Sequence, residues 1–325
     1  MVSHTVRTRP KSGAPSRRAI ALLVAAALPL TNLSLTACQS NPPSPVVSIP
    51  DAAFQACLNS YLGKNRAATE PITVVQLHSL GITGGSIRCV NDDITSIEGA
   101  QQMTYAATLD LGGNQISDLA PLAGLTNLTE LHVDGNQISD LAPLAGLAGL
   151  TYLDVSDNQI SDLAPLAGLT NLTKLHVDGN QASDLAPLAG LTRLTYLDVS
   201  DNQASDPAPL AGLTNLAYLD LGRNHISDIS ALGMLPPGVV IDASSQTVVL
   251  PEATVGTFPL PVVSTSAQPI TSTGASGPAV VNPDGTITYT YPGSVALSWD
   301  TRPDGANVGG QVVFSGTATL TVTGT

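Results

Sequence analysis

Aromatic and basic side chains are scarce in this chain of 325 residues: Phe, Trp and Tyr make up 3%, and 12 Lys+Arg stand against 25 Asp+Glu. Arg7, Arg9, Lys11, Arg17 and Arg18 all fall within the first 37 residues, which hold no acid, so the remainder is strongly acidic. Nucleic-acid binding draws its affinity from Lys and Arg neutralising phosphates, and this chain has too few of them. Its negative charge favours solubility and repels anionic surfaces. No apolar run reaches the ~20 residues of a membrane-spanning helix. G-x-S-x-G, H-E-x-x-H and P-loop patterns are missing too, so the expectation is a protein without catalysis or cofactor.

What is present starts with an export signal. A basic stretch ending at Arg18 precedes the apolar run AIALLVAAALPL (19–30), then small and polar residues. The segment 1–37 closes on Leu35-Thr36-Ala37 before Cys38, which resembles a bacterial lipobox. In that reading Cys38 is lipidated, becomes the new N-terminus, and residues 38–48 (CQSNPPSPVVS) form a tether. The protein then sits in the cell envelope, on the outer face of the membrane; an ordinary signal cut near Ala37 would leave it secreted. The two other cysteines, Cys57 and Cys89, are an even pair in an exported chain and favour a disulfide over two buried thiols.

Self-comparison at a 22-residue spacing aligns Asn114, Asn136, Asn158, Asn180, Asn202 and Asn224 in one column. Leucines precede each in the form L-x-x-L-x-[LV]-x-x-N, and a degenerate copy with Ile87, Cys89, Asp92 and Ile94 comes first. This is a leucine-rich repeat of about seven coils over 84–243. Each L-x-[LV] pair is a short strand with both apolar side chains inward. Each asparagine is a buried amide serving the bend and the neighbouring coil. Asp118, Asp140, Asp162, Asp184, Asp206 and Asp228 are placed to cap a short convex helical turn. One coil cannot bury its apolar face alone, so neighbours complete the core. Ile116, Ile138, Ile160 and Ile226 become Ala182 and Ala204 in two adjacent coils, where Pro207 also replaces a leucine, and looser packing is expected there.

Flanking segments complete the outline. Residues 49–83 read as a helical N-cap, with Asp51 opening one helix, Phe54, Cys57, Leu58 and Tyr61 as its apolar stripe, and Thr73-x-x-Gln76 as the capping box of a second. Cys57 lies on the helix face that should cover the first coil, where Cys89 points inward. From 244 to 325 short β-rich runs separated by NPDG and RPDG turns read as a small all-β sandwich, with Trp299 and Phe314 as core candidates. VVIDA (239–243) and QTVVL (246–250) read as two separate runs.

On these residues the chain resembles the bacterial internalin-like proteins. The repeat NQISDLAPLAGLTNLTxLxV matches theirs closely, IPDAAFQAC resembles their cap, and LSWDTRPDG with VVFSGTATLTV resembles their immunoglobulin-like domain. The resemblance covers roughly 49–325 and implies a surface-exposed binder of proteins. The chain departs from the family in lacking an LPxTG-type sorting motif at its end, a place that Cys38 takes at the other end.

Inward and turn positions are committed to folding, which leaves the outward strand positions of the concave face for function. Thr108, Glu130, Tyr152, Lys174, Tyr196 and Tyr218 form one column. Asp110, His132, Asp154, His176, Asp198 and Asp220 form the next, and Gly112, Asp134, Ser156, Asp178, Ser200 and Gly222 the third. The tyrosines read as a contact strip for a protein or glycan partner at the cell surface, adhesin-like. The alternative is a structural spacer whose near-identical coils simply reflect copying. A metal site using Asp110, His132, Asp134 and Asp154 is set aside because the face is open and no orienting shell is evident, so the expected metal content is none. Histidines relieving repulsion between stacked aspartates, in a pH-responsive ladder, is the preferred account of the second column. Mass spectrometry of the mature N-terminus is expected to find Cys38 acylated, and an unmodified Cys38 would mark a secreted protein.

Overall fold

The computed structural model describes residues 44–63, 65–82, 86–236 and 238–249, and the backbone of further strands between Ala253 and Thr323. The export signal, Cys38, and the side chains of Trp299 and Phe314 lie outside the described residues.

Seven short strands stack in parallel, each three residues long: β1 (Ser86–Arg88), β2 (Thr108–Asp110), β3 (Glu130–His132), β4 (Tyr152–Asp154), β5 (Lys174–His176), β6 (Tyr196–Asp198) and β7 (Tyr218–Asp220). Each residue pairs with its counterpart in the next coil, Leu131 with Leu153 and Leu153 with Leu175 for example. A 3-10 turn on the other side follows each strand, such as Ala142–Leu144 and Ala186–Gly190. Leucines from strand, turn and return segments, such as Leu153, Leu166, Leu169 and Leu172, are fully buried between them.

The asparagines hold the coils together. The Nδ2 of Asn158 donates to Val133 O of the preceding coil at 2.9 Å, and to Val155 O and Ser156 O of its own coil. Its Oδ1 accepts from the Ile138 amide at 2.9 Å. Asn114, Asn136, Asn180, Asn202 and Asn224 repeat this pattern. The residue before each asparagine takes a left-handed backbone, at Gly113, Gly135, Asp157, Gly179, Asp201 and Arg223, as does Asn91 before Asp92 in the first coil. Gly, Asn and Asp tolerate that conformation best. Arg223 is the exception, and its guanidinium forms an ion pair with Asp201 of the preceding coil.

Two expectations need correction. The convex aspartates do not occupy the N-cap position: Asp140 Oδ1 accepts from the Ala142 amide at 2.8 Å, while the capping position itself is Leu141. The carboxylate turns back on the chain two residues ahead, and the proline that follows has no amide to cap. The solenoid also does not end at 243. A single strand, β8 (Val240–Val249), adds to β7 with Ile241 opposite Leu219. Ser245 repeats the left-handed position, and Gln246 takes the amide's place, donating to Leu221 O at 2.8 Å and accepting from the Ile226 amide at 2.9 Å. Gln246 falls one 22-residue step after Asn224, but its different residue type hid it. The same strand pairs in parallel with Val312–Thr323, so the sheet continues without a break into the C-terminal strands.

Before β1 stand two helices, α1 (Ala52–Leu62) and α2 (Val74–Ile82). Asp51 Oδ1 accepts from the Ala53 and Phe54 amides, and its Oδ2 accepts from the Thr95 amide at 2.8 Å, joining helix start to first coil. Burial alone would raise the Asp51 pKa, but the donors at Phe54, Thr95 and Ser96 outweigh it and hold the carboxyl below its ordinary value. Thr73 and Gln76 exchange reciprocal bonds at the start of α2. Phe54 and Leu58 are fully buried, whereas Tyr61 is exposed and serves the edge strand instead. Its hydroxyl accepts from the Arg88 amide at 2.8 Å and donates to the Arg88 carbonyl at 3.2 Å, occupying backbone groups of the edge strand β1. A disulfide joins Cys57 to Cys89 with Cα atoms 5.7 Å apart. Closing a loop of this length stabilises a fold by about 3–4 kcal/mol.

Ala182 and Ala204 are as buried as the isoleucines they replace, and their amides bond to Asn202 and Asn224 in the same way. The bonds are kept while side-chain volume is lost, so the Ala182 and Ala204 amides are expected to exchange hydrogen faster than those of Ile116, Ile138 and Ile160. Equal protection in all five coils, measured by native-state exchange, would refute this.

Candidate binding face

The strands alternate one buried leucine with two outward residues, so each coil projects side chains from the first and last positions of its strand onto the open face of the sheet. All of the candidate residues lie on that face. Their rings, however, keep to a straight column only at Tyr196 and Tyr218.

From His132 to Tyr196 the rings interleave diagonally, and Tyr218 then stacks directly on Tyr196. The His132 and Tyr152 rings lie 4.5 Å apart, Tyr152 and His176 5.6 Å, His176 and Tyr196 4.7 Å, and Tyr196 and Tyr218 4.9 Å. Histidine from the second column and tyrosine from the first thus form one continuous row over five coils. A tyrosine side chain is long enough to reach a diagonal neighbour, and in alternate coils the first column holds Glu130 and Lys174 rather than a ring. Treating equivalent positions as separate ladders conceals this row.

Carboxylates flank the rings. Asp154 Oδ1 accepts from the Ser156 amide and, at 2.6 Å, from its hydroxyl; Asp198 is held identically by Ser200, with the hydroxyl at 2.8 Å. Asp220 Oδ1 accepts from the Gly222 amide, and its Oδ2 from the Tyr218 hydroxyl at 3.0 Å. Glu130 accepts a long bond from the Thr108 hydroxyl, at 3.4 Å. Burial and the neighbouring aspartates keep the tyrosine phenols protonated: Tyr152 is pushed up to about 12, and Tyr196 and Tyr218 are also raised.

His132, Asp134 and Asp154 each bring a possible ligand atom within 4.8 Å of the other two, and His176, Asp178 and Asp198 do the same. Asp110 does not belong to this group: it forms a 3.1 Å salt bridge with Arg88. The orienting shell that sequence reading lacked is supplied by Ser156 and Ser200. Gly112 gives Asp134 its space, since a β-carbon there would lie 2.7 Å from Asp134 Oδ1. A shallow concavity of about 420 Å³ opens over this N-terminal part, lined by residues including Arg88, Glu130, His132 and Asp154.

Asp178, Asp134 and Asp220 are the carboxylates on this face raised above their ordinary value. Burial, then the Asp198 carboxylate, raises Asp178 to about 7, and Asp134 is raised for the same reasons, with Asp154 as neighbour. Two of these raised groups, Asp134 and Asp178, stand in the third column, which the sequence offered only as a row of small and acidic residues.

Two leucine-rich repeat family models match the chain, one with two copies at 107–146 and 149–190 and another at 212–234. Among solved structures, an internalin (inlF) from Listeria monocytogenes is 33% identical, with a TM-score of 0.57 over 62% of this chain and 58% of that one. Internalin C2 (inlC2) from the same organism is 38% identical, with a TM-score of 0.55 over 61% of this chain and 84% of that one. The chain belongs to the internalin-like leucine-rich repeat proteins. It spans 58% of the first of these relatives' length. No curated protein matches it. Among the described residues of this internalin-like chain, no helix is long and apolar enough to cross a membrane.

The pKa of Asp178 carries a sign. Its native value of about 7 lies above the ordinary 3.8, so the folded state keeps a proton that the unfolded chain has released between those values. The stability this contributes is complete below the unfolded pKa and is lost as pH rises through the native one. Asp178→Asn is therefore expected to raise thermal stability at pH 8 in a chelator, by on the order of 1 kcal/mol for a half-exposed group, and to have little effect at pH 4. Equal melting shifts at the two pH values would contradict the assignment.

Proposed function

We propose that this internalin-like protein is a lipid-anchored, surface-exposed binding protein of the cell envelope, adhesin-like, whose open sheet face contacts a partner protein. The observation that carries the reading is the unbroken row of rings from His132 through Tyr152, His176 and Tyr196 to Tyr218. None of these rings fills the core, where leucines already do so. Tyrosine supplies a large, stiff contact area at small entropic cost and is enriched at binding hot spots.

The flanking charge supports a choice of partner. Asp134, Asp154, Asp178, Asp198 and Asp220 line the rings, with Lys174 and Glu130 at the edge. A partner presenting lysine and arginine gains both Coulomb attraction and cation–π contact on such a face. Steering of this kind weakens as salt rises. In the same reading the helices α1 and α2 close the N-terminal end of the core, the 244–325 strands form an immunoglobulin-like module, and Cys38 carries the anchor.

The near-identity of alternate coils favours the rival account, a spacer without a ligand at this face. Replacing Tyr152, Tyr196 and Tyr218 by alanine separates the two, because none of the three supports the core. Partners captured from the native envelope or from candidate target surfaces are expected to be lost at least tenfold in the triple variant with its circular dichroism unchanged. Undiminished capture by a folded triple variant would rule out this face as the contact.

A further inference from the structure

We propose that the open face carries two equivalent sites for a divalent transition-metal ion of the zinc class. His132, Asp134 and Asp154 form one, and His176, Asp178 and Asp198 the other. Each site takes an imidazole and a carboxylate from one coil (H-x-D) and a second carboxylate from the next coil (D-x-S). The parallel register brings them together by setting His132 opposite Asp154 and His176 opposite Asp198.

Four observations converge on these groups. In each triad the possible ligand atoms already lie within 4.8 Å of one another, so small side-chain rotations would bring them to the 2.0–2.2 Å bonds of a zinc ion. The second carboxylate is pre-oriented in both: Ser156 holds one oxygen of Asp154 and Ser200 one oxygen of Asp198 through the same amide and hydroxyl pair. Such outer partners fix ligand geometry in metal sites. Among the described residues, the salt bridges engage Glu70, Asp110 and Asp201, and none of these four carboxylates has a lysine or arginine counter-ion. Finally, in the first triad alone, Gly112 leaves the space that the Asp134 carboxylate occupies, a position that Ser156 takes before Asp178.

A uniform ladder of charge would place such groups at every junction. Among the described residues the two triads instead each join an H-x-D coil to the D-x-S coil that follows it. At the junction between the two triads Asp154 faces His176 without closing a third such group among the described residues, and at β2 the aspartate is paired with Arg88. Imidazole with carboxylates suits zinc and its transition-metal neighbours, whereas calcium and magnesium prefer oxygen alone. Three protein ligands leave at least one coordination position open toward solvent. The two sites lie two strand spacings apart, ~9.6 Å, so they cannot share one ion. Metal loading is a property of the isolated chain and does not depend on whether the tyrosine face has a partner.

The test is calorimetric titration of the chelator-stripped full chain with zinc chloride near pH 8, with cobalt(II) absorption as a second readout. Two ions per chain are expected for the unaltered protein, one for His132→Ala, one for His176→Ala and none for the double variant. Ser156→Ala is expected to weaken the first site about tenfold without abolishing it. The visible cobalt bands should fall in the same steps, and unchanged circular dichroism shows that the solenoid survives. Failure to bind zinc in excess, stoichiometry that persists in the double histidine variant, or calcium binding of equal strength would each overturn the proposal.

Discussion

Each coil bends away from its strand at a buried amide, and the rest of the solenoid depends on how that amide is bonded. The Nδ2 of Asn158 and its equivalents meets three carbonyls, one of them in the preceding coil, while Oδ1 takes an amide of that coil. A bend with those backbone groups buried and unpaired would cost about 1–3 kcal/mol for each. The side-chain amide has both a donor and an acceptor end, so it can satisfy the bend and tie two coils with one residue. Gln246 does the same with one more methylene and carries the ladder into β8, the strand that pairs with Val312–Thr323.

That register is what creates a functional surface. Parallel pairing at a constant 22-residue offset puts Tyr152 beside Lys174 and Asp154 beside His176, so chemistry distant in sequence becomes neighbouring chemistry on the open face. The face is rich in rings and carboxylates and poor in cations. Rings offer area to a partner protein, and uncompensated carboxylates beside imidazoles offer ligands to a cation. Both properties follow from alternating two kinds of coil, and they use different atoms of the same row.

The N-terminal end is held by several independent ties. The Cys57–Cys89 disulfide, the double role of Asp51 and the Tyr61 hydroxyl on Arg88 all link α1 to the first coil and strand. An open strand edge invites pairing with other chains, and Tyr61 occupies backbone groups of that edge that would otherwise be free. At the other end the outer edge of β8 is covered by the strand Val312–Thr323.

Sequence by itself determined the repeat, its inward leucines, its amide column and the choice of outward residues, because these obey a strict period and each position has one physical duty. The family resemblance followed from the same letters. Gln246 keeps the position of the amide column but not its residue type, and the convex aspartates sit one residue before the capping position, because proline changes what needs a cap. Tertiary structure alone decided which outward groups meet. The diagonal reach of Tyr152 toward His132 and His176, the exclusion of Asp110 by Arg88, and the turning of Ser156 onto Asp154 all depend on side-chain length and rotamer across neighbouring coils. A linear period records which residues share a column, whereas contact between columns is set by geometry that the period does not encode.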